Sequence, residues 1–457
     1  MDTLQKRYGL ITAICMVVGI VIGSGVFFKA QDVLYETGGD MLGGIFAWLI
    51  GGAIMIVLAA TFAVMATKYE KVGGVVDYAE ATCGKTYAYF VGWFLSLVYY
   101  PAMTSVLAWV SARYTMVAVF GYSSTSPEAL YSPQCITIAA FYLILCYFIN
   151  ALSPKLAGKI QVSTTAVKLV PLIFIALVGA VIGIANGTIK ENLSYAETVV
   201  EVTGGGGMFS AICSTAFAYE GWIIATTINA EIKNAKRNLP IALVGGAIIT
   251  VLIYTLYYVG VLGLERSEIL IGEGTSAAFR YFGDGVATVI NFLIIISCLG
   301  TLNGLMVAST RSMYALSARG EGLSPRIFSQ VDKETNMPHN SATLGLLICA
   351  VWFVYFIGGQ FFGWFGEYAF DSSELPIITV YPLYLPILIR YMIKEKELGA
   401  VKRFVLPALS MVGVCVMVTA SILRHKTDNL WYLIVFATIM LAGYGVLLYN
   451  KDKAKKN

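Results

Sequence analysis

An apolar run near the N-terminus contains Gly23-Ser24-Gly25 at its centre, and this interruption constrains the fold more than any other feature of the sequence. The run covers residues 9–35 and is long enough to cross a bilayer. Hydrocarbon offers no partner to an unpaired backbone N–H or C=O group, so a lipid-facing helix cannot be interrupted at that depth. A break made of small residues therefore predicts backbone that opens onto a cavity inside a bundle of membrane helices.

Composition supports the same environment along the whole chain. Of the 457 residues 58% are hydrophobic and only 13% are charged, and the mean hydropathy is +0.75. Soluble domains usually contain about a quarter charged residues. We therefore predict an all-α polytopic membrane protein with 12 transmembrane helices and no soluble domain of useful size. The predicted spans are 9–35, 41–67, 85–120, 133–151, 158–184, 207–232, 239–263, 284–318, 341–358, 374–393, 403–423 and 430–449, and a surface helix is expected near 274–282.

The distribution of basic residues predicts the orientation of these spans. With a cytoplasmic N-terminus, 23 of the 31 lysines and arginines fall in inner segments and six in outer ones. Loops rich in lysine and arginine stay on the cytoplasmic side. We expect a multi-pass protein of the cell membrane with both termini in the cytoplasm. The net charge of +4 reflects this bias and does not indicate a nucleic-acid partner.

A second break, Phe217-Ala218-Tyr219-Glu220-Gly221-Trp222, lies inside the sixth predicted span. Interrupted helices at corresponding places of two halves indicate the substrate site of a transporter. The spacing fits two inverted halves of five helices each, with helices 1 and 6 unwound at mid-membrane, followed by two C-terminal helices. The corresponding divisions of the chain are 1–190, 200–395 and 400–457.

Each pole of a zwitterion has a backbone partner at the first break. The N-terminus of the outer half-helix presents N–H groups that attract a carboxylate. Carbonyl groups at the end of the inner half-helix favour an ammonium group. Close helix packing by the two glycines is the alternative explanation. The candidate substrate-binding residues here are Val21, Ile22, Gly23, Ser24 and Gly25.

The second break adds the candidate substrate-binding residues Phe217, Ala218, Tyr219 and Glu220. Phe217 and Trp222 are candidate gates because a large ring can cover a ligand, although both rings could instead pack in the core. Glu220 is the only acidic residue placed at the middle of a predicted span. A charge there is costly unless it has a function or a partner. Its carboxylate could bind a cationic substrate group, take up a proton or cap unwound backbone.

Three further polar residues inside predicted spans are candidates for a function or for a structural role. Lys168 could satisfy carbonyls of the unwound first helix and couple transport to protons, or it could simply hold two helices together. Asn303 belongs to the small and polar stripe 297–304 and is a candidate for the aqueous pathway, where packing is the commoner role. Arg113 is expected to reach an interface or a loop acid.

Other chemistries are not indicated. The eight cysteines are scattered without CxxC pairs, which predicts packing residues and no metal site. Both histidines, His339 and His425, fall in predicted loops, so the spans contain no histidine proton relay. A membrane enzyme would need a nucleophile with a base or a metal centre. We therefore expect neither an enzyme nor a cofactor.

Together these motifs resemble the amino acid–polyamine–organocation superfamily, and in particular bacterial relatives of the L-type amino acid transporters. The matching segments are 19–27, 217–222, 231–240 and 300–304. The resemblance implies a LeuT-like fold with the substrate between the broken helices. It places the carboxylate at Ser24 and Gly25, and the amino group at the carbonyls of Val21, Phe217 and Ala218. It also makes Phe217 the outer gate and puts Lys168 where other members hold sodium.

The function expected from this resemblance is sodium-independent exchange of small neutral L-amino acids by alternating access. Glu220 leaves a second possibility open, which is exchange or proton-coupled transport of cationic amino acids or polyamines. An amino-acid sensor in the membrane is the alternative of another class. The expected partners are an amino acid substrate and the lipid bilayer, with no obligatory protein partner.

Overall fold

The computed structural model describes residues 9–69, 74–152, 154–198, 206–222, 232–332 and 337–456. Every regular element assigned in these ranges is a helix. Ten of the helices are long and apolar enough to cross a membrane. Two shorter apolar helices, Leu10–Val21 and Gly207–Tyr219, accompany them. The predicted all-helical, polytopic architecture is therefore observed, while the division of the chain at 190–200 and 395–400 stays a prediction.

The observed helices follow the predicted spans closely. The longer helices are α1 (Leu10–Val21), α2 (Gly25–Glu36), α3 (Met41–Lys68), α4 (Val75–Cys83), α5 (Lys85–Phe120), α6 (Pro133–Leu152), α7 (Pro154–Phe174, continued by Ala180–Asn186), α8 (Thr188–Thr198), α9 (Gly207–Tyr219), α10 (Ala235–Leu264), α11 (Ser267–Glu273), α12 (Asp284–Ser317), α13 (His339–Phe361), α14 (Ile377–Lys394), α15 (Leu406–His425) and α16 (Asp428–Lys456). π-Helical segments occupy Leu95–Tyr99 within α5, Ile175–Gly179 between the two parts of α7, and Val401–Val405 before α15. Short helical turns lie at Pro127–Tyr131, Ser276–Phe279, Arg280–Phe282 and Pro325–Phe328. Two of them coincide with the helix expected near 274–282, but Ser276–Phe279 is buried, so the expected surface position was wrong for that part.

Both predicted interruptions are present in the backbone. Helix α1 ends at Val21, Ile22 is extended, and α2 begins at Gly25. Helix α9 ends at Tyr219, followed by an extended Glu220 and by Gly221 with φ of 103°. A positive φ of that size suits glycine, which has no Cβ to clash. The rest of the sixth predicted span, residues 223–231, lies outside the described residues.

The packing of the helices brings the two interruptions together at the centre of the bundle. Helix α10 lies against α3 and α1, and α9 lies between α2 and α3. Helix α12 contacts α5, α7 and α13 and closes the opposite side. Because α2 and α9 are direct neighbours, their broken ends share one polar centre within an otherwise apolar interior.

Candidate substrate site

A cavity of about 110 Å³ lies between the two interruptions. Seven of the predicted substrate-binding residues line it, from both broken segments, and so does Lys168 of α7. The remaining wall comes from α5, α12 and Gly221. The lining residues are Val21, Gly23, Ser24, Gly25, Tyr99, Met103, Leu107, Lys168, Phe217, Ala218, Glu220, Gly221, Thr301, Gly304 and Leu305.

The first break presents a mixture of satisfied and free polar groups to this cavity. The Val21 carbonyl accepts a hydrogen bond from the Tyr254 hydroxyl of α10 at 3.1 Å. Ser24 is buried, and within the described structure its hydroxyl has no nitrogen or oxygen partner, only the weakly interacting thiol of Cys298. A buried hydroxyl without a partner is costly. The Ser24 hydroxyl is therefore a group that a polar ligand would satisfy.

The two breaks touch each other at Gly25 and Ala218. A Cβ atom added to Gly25 would lie 2.4 Å from the Ala218 Cα atom, closer than real contacts allow. Only glycine permits this approach of two backbones. The contact fixes the N-terminus of α2 beside the end of α9, which is the juxtaposition that a substrate site between them requires.

Lys168 joins the broken first helix to α12. Its buried ammonium donates to the Gly19 carbonyl at 3.4 Å and to the Thr301 Oγ1 atom at 3.1 Å. Within the described ranges no acidic side chain lies within 4.0 Å of this ammonium, so only neutral oxygens surround it. A carbonyl and a hydroxyl are the ligands that a small hard cation also takes.

Glu220 faces the cavity from the end of α9. One carboxylate oxygen accepts a hydrogen bond from the Tyr99 hydroxyl at 2.5 Å. Among the described residues no lysine, arginine or histidine forms an ion pair with Glu220. Tyr99 was not predicted as a site residue, because it is the last residue of a π-helical segment that no sequence pattern indicated. Such segments are frequent at functional sites.

The remaining residues of the cavity wall were not predicted either, although two of them lie in a segment that the sequence marked as unusual. Thr301 and Gly304 belong to the small and polar stripe of α12, which sequence analysis singled out for Asn303 alone. Met103 and Leu107 of α5 could not be predicted, because the sequence does not distinguish an apolar side chain that faces the cavity from one that faces lipid or the core.

Four predicted site residues are not part of the cavity wall. Ile22 is fully buried in the core, since the extended backbone at this residue turns its side chain away. Asn303 accepts a hydrogen bond from the Asn150 amide of α6 at 2.9 Å. One residue along α12, Gly304 faces the cavity instead. Ile22 and Asn303 therefore support neighbouring helices in this structure.

The two aromatic residues among these four pack against other rings. The Tyr219 hydroxyl donates to the Trp48 carbonyl at 2.9 Å, and its ring stacks on Tyr254. Trp222 packs edge-on against Phe62 with ring centroids 5.3 Å apart. Trp222 therefore lies in an aromatic cluster that adjoins the cavity, whereas Phe217 lines the cavity directly.

A pair of phenylalanines forms the boundary of the cavity towards the predicted outer side. The Phe28 and Phe217 rings meet edge-to-face with centroids 5.9 Å apart. Phe28 also packs edge-on against Trp109 of α5 at 5.6 Å. These rings separate the cavity from a second, more polar recess lined by Phe28 and Trp109.

A buried ion network lies beside the phenylalanine pair. The Glu374 carboxylate accepts from Lys29 at 2.7 Å, pairs with Arg424, and lies 3.0 Å from the Nε2 atom of His425. His425 was predicted to lie in a loop, whereas it is the last residue of α15 and is largely buried. The thiol of Cys213 adjoins Glu374 and His425, but both carboxylate oxygens are already engaged by cations. This arrangement is typical of an ion network and unsuited to a metal ion.

Ion pairs also connect the helix ends on the predicted cytoplasmic side. Arg319 pairs with Asp77 of α4, and Lys68 pairs with Glu395. Burial alone would raise the pKa of Glu395, but hydrogen bonds from Lys68 and Tyr69 outweigh it and hold that pKa below its usual value. The Glu395 carboxylate is therefore charged at neutral pH and ties the end of α14 to the end of α3.

A membrane protein with a cavity between two interrupted helices has the architecture of a secondary transporter. A model of the amino acid permease family matches residues 8–444. The chain therefore belongs to the amino acid permease family, within the amino acid–polyamine–organocation superfamily. This membership confirms the predicted class, an amino acid transporter, and places the chain outside the enzymes.

Named relatives support the same class. The chain is 33% identical to the serine/threonine exchanger SteT of Bacillus subtilis (strain 168) over 320 residues, which is 69% of each chain. It is 25% identical to the b(0,+)-type amino acid transporter 1 of Mus musculus over 98% of this chain and 89% of the relative. It is 24% identical to the cystine/glutamate transporter of Pongo abelii over 73% of this chain and 65% of the relative.

Proposed function

We propose that this protein is a sodium-independent exchanger of small neutral L-amino acids. The observation that carries the proposal is the cavity between the two interruptions, where the Ser24 hydroxyl and the start of α2 stand opposite the end of α9. The amino acid's carboxylate would bind at the N-terminus of α2, and its ammonium group would bind carbonyls at Val21, Phe217 and Ala218. Exchange is supported by the relative named serine/threonine exchanger, and transport of amino acids by the relative named cystine/glutamate transporter.

Sodium independence rests on the position of Lys168. Its ammonium already contacts a carbonyl of α1 and a hydroxyl of α12, which are oxygens of the kind that sodium would need. A fixed positive charge at this point repels a second cation. The proposal therefore assigns the coupling role to Lys168 rather than to a bound ion.

The proposed mechanism is alternating access in a LeuT-like fold of 12 spans, five-plus-five inverted and followed by two helices. The Phe28–Phe217 pair and the outer ion network would part when the site opens outwards. The Arg319–Asp77 and Lys68–Glu395 pairs would part when it opens inwards. We place the protein in the cell membrane with both termini in the cytoplasm and without an obligatory protein partner.

The cavity dimensions and wall favour a small substrate. Met103, Leu107 and Leu305 narrow it on the side of α5 and α12. Glu220 supports a second candidate, transport of cationic amino acids or polyamines, because its carboxylate has no cationic partner among the described residues. A sensor would bind the same ligand at the same cavity without moving it across the membrane.

Accelerated efflux from proteoliposomes tests the proposed function. Vesicles preloaded with radiolabelled L-serine are diluted into buffers with one external candidate each: L-alanine, L-serine, L-threonine, L-leucine, L-arginine or putrescine. We expect external serine, threonine and alanine to accelerate efflux equally with and without sodium. A requirement for sodium would refute the coupling proposal, and saturable binding without any efflux would favour the sensor.

Replacing Glu220 with glutamine separates the two substrate classes. We expect the serine exchange rate of Glu220→Gln to stay within about threefold of the wild-type rate, because the glutamine carbonyl can still accept a hydrogen bond from the Tyr99 hydroxyl. The measurement is the initial exchange rate with serine and with arginine, with the exposed Glu268→Gln variant as the matched control. If the wild type exchanges arginine and this rate is at least about tenfold lower in Glu220→Gln, the cationic candidate is established instead.

A further inference from the structure

An apolar groove opens on the lipid-facing surface of the bundle, where three membrane-spanning helices meet. Helix α5 forms its floor, and α13 and α16 form its two walls. The walls stand apart because α13 packs against α5, α6 and α12, whereas α16 packs against α5 and α15. The volume of the groove is about 450 Å³. Its lining side chains carry no charge and include Leu97, Leu347, Val351, Trp352, Val435 and Ile439.

Hydrocarbon, and not water, suits this groove in a membrane. Leu347 and Val351 are 58% and 67% exposed, so they face the surroundings of the bundle and not its interior. Water is held in a cavity only where polar groups bind it. The indole N–H of Trp352 is already engaged, because it donates to the Leu97 carbonyl at 2.7 Å. The groove therefore fits the acyl chain of a lipid.

The α16 wall of the groove leads to an exposed lysine. About five helical turns separate Lys453 from Val435, so both residues lie on the same face of α16. The Lys453 ammonium lies over the Tyr449 ring, 5.8 Å from its centroid. Among the described residues no carboxylate lies within 4.0 Å of this ammonium, so an anionic ligand would give it a partner.

The α13 wall leads to an exposed arginine. About three helical turns separate Asn340 from Val351, so these two residues also share a helix face. The Asn340 amide donates to the Ile327 carbonyl at 3.2 Å and thereby holds the turn Pro325–Phe328 at the end of the wall. Arg326 of this turn is exposed and forms no ion pair with a carboxylate of the described ranges.

The two ends of the groove differ in charge. Phe328 of the turn and Val446 of α16 pack against one apolar cluster, which brings the arginine and the lysine to the same, predicted cytoplasmic end. At the opposite end the Phe365 and Trp431 rings lie with centroids 6.3 Å apart, and Glu367 is exposed. Basic side chains near the membrane surface attract anionic headgroups. The charges therefore place a headgroup phosphate at the cationic end.

The length of an acyl chain agrees with this placement. Leu347 lies about 12 Å along α13 from His339, the first residue of that helix. The hydrocarbon of one leaflet is about 15 Å deep. A chain whose headgroup lies at the cationic end therefore reaches the part of the groove around Leu347 and Val351.

The floor of the groove belongs to the π-helical segment that carries Tyr99. Leu97 lines the groove, and Tyr99 of the same segment lines the central cavity and donates to Glu220 at 2.5 Å. Trp352 links this segment to the α13 wall through the Leu97 carbonyl. An occupant of the groove therefore packs against the segment that positions Tyr99, from the side opposite to the cavity.

We propose that the groove binds one anionic phospholipid, with an acyl chain between α13 and α16 and the headgroup phosphate paired with Arg326 and Lys453. The inference goes beyond the proposed function, because this lipid stays in the groove and is not transported. By packing against Leu97 and Trp352, the chain holds the π-helical segment in the form that places Tyr99 beside the substrate cavity. Bound lipid therefore supports exchange without contacting the amino acid.

Native mass spectrometry of the full chain, delipidated in detergent, tests the site with phosphatidylglycerol and phosphatidylcholine of identical acyl chains. We expect the wild type to retain about one phosphatidylglycerol per chain and to bind phosphatidylcholine about tenfold more weakly. Val351→Trp fills the groove with an indole ring and should weaken phosphatidylglycerol binding about tenfold. Val354→Trp is the matched control, because Val354 is 54% exposed on the same helix and does not line the groove.

A double variant tests the headgroup contacts independently of the groove. Arg326→Gln combined with Lys453→Gln should bind the two lipids with equal affinity, since both cations that distinguish the headgroups are gone. Its matched control is Lys396→Gln combined with Lys402→Gln, which removes two exposed lysines of the segment before α15. All four positions are exposed, so none of these changes disturbs the packed interior.

Serine exchange in phosphatidylcholine proteoliposomes, with and without phosphatidylglycerol, gives the functional readout. Phosphatidylglycerol should raise the exchange rate of the wild type and of both controls at least about threefold, and leave Val351→Trp and the double variant unchanged. Equal lipid retention by the wild type, Val351→Trp and the double variant overturns the inference, and so does a wild-type dimer that excludes lipid. Both results leave the proposed function standing, whereas lipid retention as expected without any serine exchange overturns the proposed function alone.

Discussion

Replacing Gly25 with alanine is expected to reduce amino acid exchange by about 100-fold while the protein remains folded in detergent. The new methyl group would be placed 2.4 Å from the Ala218 Cα atom. That atom belongs to backbone and cannot rotate away, so α2 and α9 must separate. Their separation displaces the N–H groups at the start of α2 from the carbonyls at Phe217 and Ala218. Exchange of serine in proteoliposomes and serine binding in detergent should fall together.

Gly245→Ala is the matched control for this variant. Gly245 lies inside α10, and an added Cβ there meets nothing within 4 Å. Alanine inside a helix is favoured over glycine by roughly 0.5–1 kcal/mol, so this variant should be slightly more stable and fully active. Normal exchange by Gly25→Ala would show that the two breaks do not form the substrate site together.

Replacing Lys168 with methionine is expected to reduce exchange by about 100-fold, because two oxygens lose their donor while the volume is kept. The Gly19 carbonyl and the Thr301 hydroxyl would be left in a buried site without the ammonium group that now joins them. Each unsatisfied buried group costs about 1–3 kcal/mol. That cost falls on the junction between α1, α7 and α12, which is the junction expected to move.

Lys168→Ala extends this test, and the exposed Lys190→Ala is its matched control. Initial exchange rates in proteoliposomes and the melting temperature in detergent are measured for all three variants. A coupling role predicts that Lys168→Met loses exchange even when the assay temperature lies well below its melting temperature, so that the variant is fully folded. If exchange in Lys168→Met stays at the wild-type rate and only Lys168→Ala loses stability, Lys168 fills space between helices and has no role in coupling.

Much of the architecture was predictable because membrane-spanning helices produce clear sequence patterns. Lipid requires long apolar segments, and charged or glycine-rich segments between them mark the connections. The observed ends of α3, α5 and α12 lie within a residue or two of the predicted spans. The two interruptions were equally predictable, because the glycine, serine and charged residues of Gly23-Ser24-Gly25 and Glu220-Gly221 are unfavourable inside an apolar helix.

The partners of the central residues were not predictable in the same way. Tyr99 and Glu220 are 121 positions apart, and their hydrogen bond depends on a π-helical segment in α5. The ion network around Glu374 joins α2, the segment before α14 and the end of α15. Its members lie far apart in the chain, so no local pattern placed His425 in it. Arg113 looked like an interfacial cation, although it is buried beside the recess lined by Phe28 and Trp109.

The sequence by itself determined that the chain crosses the membrane many times and that two of its helices are broken, because hydrophobicity and backbone hydrogen bonding act along short segments. Only the tertiary structure decided which side chains face the central cavity. In an apolar helix, residues facing lipid, core or cavity have the same composition, so their direction is set by the helices packed around them. Tyr219 and Trp222 turned towards other rings, and Tyr99 and Thr301 turned towards the cavity, for that reason.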